Sequence, residues 1–128
     1  MNSIYILDFD ADITYVLCNW FESEGYEVKG FITIEQLFKQ LTISHPDCII
    51  LDCMYGRLSL TINACNAIQQ SFHYKGKLLL TSTSNLTTKD LKQCNASDFI
   101  AKPFDLSEVL KVVDALLINS SVKTIINQ

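Results

Sequence analysis

The segment that decides the fold reads Pro46-Asp47-Cys48-Ile49-Ile50-Leu51-Asp52-Cys53-Met54-Tyr55-Gly56. Its centre, residues 49–51, is an apolar run without polar alternation, which is typical of a strand covered on both faces in a parallel sheet. The run ends at the carboxylate of Asp52. Because ligands of open α/β sheets bind at the carboxyl ends of the strands, Asp52 is the first candidate for a functional residue.

Length and composition indicate one domain and exclude several classes of protein. The chain has 128 residues, of which 48% are hydrophobic, enough for one sizeable core. A net charge of −4 and the absence of a Lys/Arg cluster argue against binding of nucleic acid. No apolar run approaches membrane-spanning length, and the start Met-Asn-Ser-Ile lacks the features of a signal peptide. We therefore expect a cytoplasmic protein that does not bind membranes.

The five cysteines form no C-x-x-C pair and mostly lie in apolar patterns, so we interpret them as reduced, buried, small hydrophobic residues. A disulfide or a zinc site is the less favoured alternative. The cysteines are Cys18, Cys48, Cys53, Cys65 and Cys94.

Short apolar runs alternate with helical patterns along the rest of the chain. Strands are predicted at residues 4–7, 26–31, 49–51, 78–80 and 98–101. A first helix runs from Asp12 to Gly25, a second starts at the Thr33–Gln36 capping box, and a third ends before Lys75-Gly76. The hydroxyls of residues 81–84 open a short fourth helix through Leu91, and Asp105 caps a fifth that reaches Leu117. Residues 119–128 form a polar tail.

Five strands alternating with five helices predict an α/β fold with a doubly wound parallel sheet. The flavodoxin-like strand order 2-1-3-4-5 fits this pattern best. In that order Asp8, Asp52, Thr81 and Lys102 follow or end four different strands and meet at one edge of the sheet. Reactive groups that are far apart in sequence are thereby predicted to share one pocket.

From residue 4 to about residue 117 the chain resembles a receiver (response regulator, CheY-like) domain of two-component signal transduction. We therefore assign residues 1–118 to a receiver domain and residues 119–128 to the tail. Four motifs in the family's order carry the resemblance: Leu7-Asp8-Phe9-Asp10, Ile50-Leu51-Asp52, Leu80-Thr81-Ser82 and Lys102-Pro103-Phe104.

The resemblance implies that Asp52 is a nucleophile, which accepts a phosphoryl group from a histidine kinase or a phosphotransfer protein. It also implies Mg²⁺ bound by Asp8, Asp52 and the backbone carbonyl of Met54, because this ion prefers oxygen ligands. Lys102 would then pair with the phosphoryl oxygens.

The resemblance also assigns a switch and an output. Thr81 would move to hydrogen-bond the new phosphate, and Phe99 stands at the aromatic position whose ring turns inward on activation. The output would be a changed affinity for a target protein rather than enzymatic turnover. We expect a monomer or a weak dimer.

The sequence departs from the family pattern at the metal site. Phe9 stands where receiver domains usually carry a second acid, so Mg²⁺ binding is expected to be weakened. Asp10 is a candidate to replace that acid, but capping of the first helix is its favoured role. The loop after Asp52 lacks the usual Pro-Gly pair, and Asn95 stands where a glycine is common.

Two other functions compete with phosphoryl acceptance. Asp8-Phe9-Asp10 also matches the D-x-D start of haloacid-dehalogenase-type phosphatases, in which Asp8 would be the nucleophile and Asp10 the acid/base. The chain lacks the further acidic metal-binding pair which that family needs. The other alternative is a degenerate receiver-like module that binds a partner constitutively, which Phe9 favours.

Overall fold

A computed structural model of the chain describes residues 2–126, except for the side chains of Tyr55 and residues 119–126. The strands are β1 (Ser3–Leu7), β2 (Glu27–Phe31), β3 (Cys48–Asp52), β4 (Lys77–Ser82) and β5 (Asp98–Ala101). The helices are α1 (Ala11–Ser23), α2 (Ile34–Leu41), α3 (Leu58–Asn66), α4 (Thr88–Cys94) and α5 (Leu106–Ile126). A short 3₁₀ turn at Met54–Gly56 precedes α3, and a wider π turn at Ala67–Ser71 follows it.

The five strands form one parallel sheet in the order β2-β1-β3-β4-β5, which confirms the predicted flavodoxin-like topology. The register places Leu7 opposite Leu51 and Asp52 opposite Thr81. Because all strands run in one direction, their carboxyl ends lie along a single edge. The sheet alone therefore brings the ends of β1, β3, β4 and β5 together.

Alternation of side chains along the strands divides the core into two layers, one on each face of the sheet. On β1, Tyr5 and Leu7 face the layer that contains Leu37 of α2 and Cys65 of α3. On the same strand, Ile4 and Ile6 face the other layer. That second layer contains Leu17 and Phe21 of α1 and Val109, Val113 and Leu117 of α5. Coverage on both faces explains why the central strands read as continuous apolar runs.

Turn and cap residues confirm several local predictions. Gly25 has a φ of +92° after α1, and Asn95 takes the left-handed conformation after α4 with a φ of +50°. Thr33 caps α2 through a hydrogen bond that its side chain accepts from the backbone N–H of Gln36. Four of the five cysteines are buried and Cys18 is half-buried, as their apolar surroundings predicted.

The start of α4 was predicted wrongly. The hydroxyls of residues 81–84 do not open a helix, because β4 continues to Ser82 and the helix begins only at Thr88. Thr87 and Asp90 form a reciprocal capping box there, which satisfies backbone N–H groups of the first turn. Only Cys94 of this helix is buried, so its apolar stripe is as thin as predicted.

The last helix is longer than predicted. It begins directly after Asp105, as expected, but continues to Ile126 instead of ending near Leu117. The polar residues after 118 favour a tail, whereas the helix continues through them, since extending an existing helix avoids the cost of nucleating a new one. Within residues 2–126, no helix is both long enough and apolar enough to cross a bilayer.

Replacing Gly76 with alanine is expected to destabilise the fold. A Cβ atom at this position would lie 2.5 Å from Cζ of Tyr74 and 2.8 Å from the carbonyl oxygen of Asp47. Tyr74 is buried and its hydroxyl donates to the Lys77 carbonyl, so the ring cannot move without cost. We expect Gly76→Ala to lower the free energy of unfolding by about 1–3 kcal/mol in urea titrations. The exposed neighbour Lys75→Ala is the control, and equal midpoints for both variants would contradict the prediction.

Candidate functional site

The carboxyl ends of β1, β3 and β5 bring two carboxylates and one ammonium group into contact. Asp8 follows β1, Asp52 ends β3 and Lys102 follows β5. The Nζ atom of Lys102 lies 2.7 Å from Oδ2 of Asp8 and 3.1 Å from Oδ1 of Asp52. The predicted convergence of these groups is therefore confirmed, and Lys102 bridges the two acids.

The Lys102 side chain is held in this position and is not a solvated loop charge. It is 13% exposed, comparable with the 14% of the Asp52 side chain. Its backbone N–H donates to the carbonyl of Ser82 at 2.8 Å, which continues the pairing of β5 with β4 beyond the end of the strand. The sheet therefore directs the Lys102 ammonium towards the acids.

Thr81 lies beside Asp52 on the neighbouring strand. The two residues are paired in the β3–β4 register, and the backbone N–H of Cys53 donates to the Thr81 carbonyl at 2.7 Å. Thr81 is buried. The residue predicted to sense the modified acid is therefore the direct neighbour of that acid in the sheet.

The ionisation of Asp52 and Lys102 is coupled through this contact. Burial raises the pKa of Asp52 above its ordinary value, and the nearby Asp8 carboxylate raises it further. Lys102 and the backbone N–H of Phe9, which donates to the Asp52 carboxylate, oppose that rise. For Lys102, burial lowers the pKa, but hydrogen bonds and charge attraction from Asp8 and Asp52 outweigh burial and raise it. These surroundings therefore favour the charged form of Lys102 and disfavour ionisation of Asp52.

Asp10 takes the structural role that the sequence analysis favoured. Its carboxylate accepts hydrogen bonds from the backbone N–H groups of Asp12 and Ile13 and so caps α1. Its own backbone N–H donates to Oδ1 of Asp8 at 2.9 Å. Asp10 thus orients Asp8 through its main chain while its side chain is engaged at the helix.

The two aromatic residues of interest lie on the same side of the sheet. Phe9 and Phe99 are both half-buried, and both pack against the core layer that contains Leu7 and Leu80. In the sheet register Phe99 stands opposite Leu80, one residue before Thr81. The position of Phe99 is compatible with a switch role, which stays a prediction.

The oxygen atoms proposed for Mg²⁺ already have protein partners. The Met54 carbonyl accepts the backbone N–H of Arg57 at 2.8 Å, and both oxygens of Asp8 accept hydrogen bonds. Among the described side chains, no cluster of three or more histidine, cysteine, aspartate or glutamate residues is placed to hold a metal ion. The acidic donors at this edge are Asp8 and Asp52, with a phenyl ring at position 9.

Two buried threonines that the sequence analysis missed hold the loops of the site. The hydroxyl of Thr14 donates to the Asp8 carbonyl at 2.9 Å and thereby ties α1 to the end of β1. The hydroxyl of Thr61 accepts the backbone N–H of Met54 at 2.9 Å and fixes the turn after Asp52. Both contacts join residues six or seven positions apart across a loop, a spacing that no helical or strand pattern reveals.

Comparison with known proteins identifies the family. The model of the response regulator receiver domain matches residues 4–114. The chain belongs to this family. Receiver domains are generally signalling modules without enzymatic activity, and they typically bind Mg²⁺ at the phosphorylation site. The domain boundary at residue 118 stays a prediction, since the match ends slightly before it.

Two curated proteins contain regions similar to this receiver domain. The alkaline phosphatase synthesis transcriptional regulatory protein PhoP of Bacillus subtilis is 30% identical over 120 residues, which are 93% of this chain and 50% of that protein. The regulatory protein AtoC of Escherichia coli is 26% identical over 127 residues, which are 96% of this chain and 27% of that protein. The receiver domain described here thus spans half or less of these relatives.

Solved structures share the fold. A response regulator from Thermotoga maritima superimposes with a TM-score of 0.78 at 20% identity, over 91% of this chain and 98% of that one. The Vibrio cholerae chemotaxis protein CheY4 gives a TM-score of 0.79 at 20% identity, over 91% of this chain and 99% of that one.

Asp52→Asn is expected to stabilise this receiver domain at neutral pH. A carboxyl group whose pKa is raised by folding favours the folded state at low pH and loses that contribution as the pH rises through the raised pKa. Asparagine removes the cost of ionisation, so the melting temperature at pH 7 should rise by a few degrees. The gain should shrink as the pH falls towards 3.8, the ordinary pKa of the group. The exposed Glu27→Gln variant is the control, and a gain independent of pH would refute this account.

Lys102→Met is expected to destabilise the fold because it leaves the Asp8 and Asp52 carboxylates side by side without a cation. Removing one partner of such a buried pair costs about 3 kcal/mol of unfolding free energy. In an Asp8→Asn background the loss should be clearly smaller, since only one carboxylate remains. Urea unfolding of the four proteins at pH 7 measures both losses. Equal losses in the two backgrounds would mean that the ion pair between Asp8 and Lys102 contributes little to the free energy of unfolding.

Proposed function

We propose that this receiver domain accepts a phosphoryl group on Asp52 from a histidine kinase or a phosphotransfer protein. The observation that carries the proposal is the bridge from Lys102 to both Asp8 and Asp52 at the carboxyl edge of the sheet. A carboxylate, a positive charge and a hydroxyl residue lie next to one another at that edge. Phosphoryl transfer depends mainly on such positioning and charge compensation.

In the proposed transfer an oxygen of the Asp52 carboxylate attacks the phosphorus atom of a phosphohistidine. The new O–P bond forms as the P–N bond breaks, and the electron pair of that bond returns to the imidazole of the donor. The product is an acyl phosphate with more negative charge than the carboxylate had. The Lys102 ammonium, already within 3.1 Å of Asp52, is the group that pairs with the phosphoryl oxygens.

Thr81 and Phe99 are the residues proposed to convert phosphorylation into a change of shape. Thr81 is adjacent to Asp52 in the sheet, so its hydroxyl needs little movement to donate to a phosphoryl oxygen. Phe99 lies on the next strand, opposite Leu80, the residue that precedes Thr81. A shift of the loop after β4 would alter the surface formed by α4, β5 and α5.

Receiver domains interact with histidine kinases or phosphotransfer proteins and with downstream effectors. For this chain we propose that phosphorylation changes its affinity for a target protein. We also propose that Mg²⁺ binds weakly, since Phe9 offers no oxygen ligand. A cytoplasmic location, a monomer or weak dimer, and no direct binding of nucleic acid stay predictions, because no comparison tests them.

The constitutive interaction module is the second candidate. It is favoured by Phe9 and by the Lys102 bridge, which already compensates the acidic pair in the unmodified protein. The phosphatase candidate is weaker. Its proposed acid/base, Asp10, is engaged in capping α1, and the chain belongs to the receiver family.

Intact mass after incubation with acetyl phosphate tests the proposed function. The wild-type protein, incubated with and without Mg²⁺, should gain one phosphoryl adduct that is lost on treatment with hydroxylamine, as acyl phosphates are. Asp52→Asn should gain none, and a cooperative thermal unfolding transition would establish that this variant is folded. No adduct even at high Mg²⁺ would favour the constitutive module, and an adduct that persists in Asp52→Asn would place the modification elsewhere.

A further inference from the structure

The two carboxylates of the proposed phosphorylation site are already paired with a cationic side chain, that of Lys102. We infer that the ammonium of Lys102, rather than a divalent ion, is the counter-ion of the Asp8–Asp52 pair. On this basis the transfer to Asp52 proceeds without Mg²⁺, a consequence that rests on the proposed function. The binding part of the inference, a low affinity for Mg²⁺, stands independently of phosphorylation.

Asp8 has no oxygen left without a donor. Its Oδ2 accepts Lys102 Nζ at 2.7 Å, and its Oδ1 accepts the backbone N–H of Asp10 at 2.9 Å. The residue is also buried. Each carboxylate oxygen keeps a second lone pair, but Mg²⁺ bound to the buried Asp8 would lie next to the Lys102 ammonium and would need room for its waters. Asp8 is therefore a poor ligand unless Lys102 withdraws.

The acid that could replace the missing ligand is committed elsewhere. Asp10 accepts the backbone N–H groups of Asp12 and Ile13 at the start of α1. Turning its carboxylate towards Asp52 would uncap the helix, and losses of such caps are unfavourable. The cap thus opposes recruitment of Asp10 as a metal ligand.

Phe9 removes one negative charge as well as one ligand. With both carboxylates ionised and Lys102 protonated, the three groups carry a net charge of −1. An acid at position 9 would double that net charge to −2. The phenyl ring instead packs against the core layer that contains Leu7. The uncompensated charge that could attract a divalent ion is therefore half of what three acids would leave beside the same ammonium.

Titration of the wild-type protein with Mg²⁺ by isothermal calorimetry, with backbone amide NMR shifts of Asp52 and Thr81, tests the binding part directly. Phe9→Asp restores the carboxylate, and Phe9→Asn is the matched control of equal size without charge. We expect Phe9→Asp to bind Mg²⁺ about tenfold or more tightly than the other two proteins, because a close carboxylate attracts the ion and adds a ligand. Near-UV circular dichroism establishes that both variants keep the core packing around position 9.

Tight binding by the wild-type protein, with an affinity equal to that of Phe9→Asp, would overturn the inference. The wild-type titration tests the inference even if a variant fails to fold. Shifts of the Asp52 and Thr81 amide signals at low Mg²⁺ concentration in the wild-type protein would contradict the inferred low affinity. Equal gains in Phe9→Asp and Phe9→Asn would also overturn it, since charge would then not be the cause.

Phosphorylation by acetyl phosphate in EDTA and in Mg²⁺ separates this inference from the proposed function. We expect the adduct on Asp52 to form at rates within about twofold of one another in the two buffers. An adduct that forms only with Mg²⁺ would preserve the proposed function and refute the inference. No adduct in either buffer would refute the proposed function, and the Mg²⁺ titration would still decide which cation occupies the site.

Discussion

The ion pairs of Lys102 are the interaction on which the functional edge of this receiver domain depends. One ammonium group contacts carboxylates that follow β1 and end β3, and it reaches them from the end of β5. A partly buried cation is tolerated there because two opposite charges compensate the loss of water around it. The same contacts link the ends of β1, β3 and β5. A change in the charge of one of these groups is therefore expected to alter the positions of the strand ends as well.

The neighbouring loops are arranged to support this contact. Thr14 fixes the end of β1 through the Asp8 carbonyl, and Thr61 fixes the turn that follows Asp52. Neither hydroxyl contacts a carboxylate, but each holds the main chain at or close to one. The turn after Asp52 contains no proline, and the hydrogen bond that Thr61 of α3 accepts from the backbone N–H of Met54 constrains it.

The side chain of Phe9 adds neither a charge nor an oxygen atom to the edge that holds Asp8 and Asp52. The backbone at position 9 still serves the site, because its N–H donates to the Asp52 carboxylate. The side chain, by contrast, belongs to the core. One residue thus serves the site through its main chain and the core through its side chain.

The sequence by itself determined the sheet, its strand order and the meeting of Asp8, Asp52, Thr81 and Lys102, because apolar runs and crossover rules constrain all of these. It also favoured the capping role of Asp10 through local spacing. Only the tertiary structure decided that Lys102 contacts both acids at once, that Thr14 and Thr61 hold the loops, and that α4 begins at Thr88. These features depend on distances between elements that pack together in space. Hydrophobic periodicity along the chain does not determine such distances.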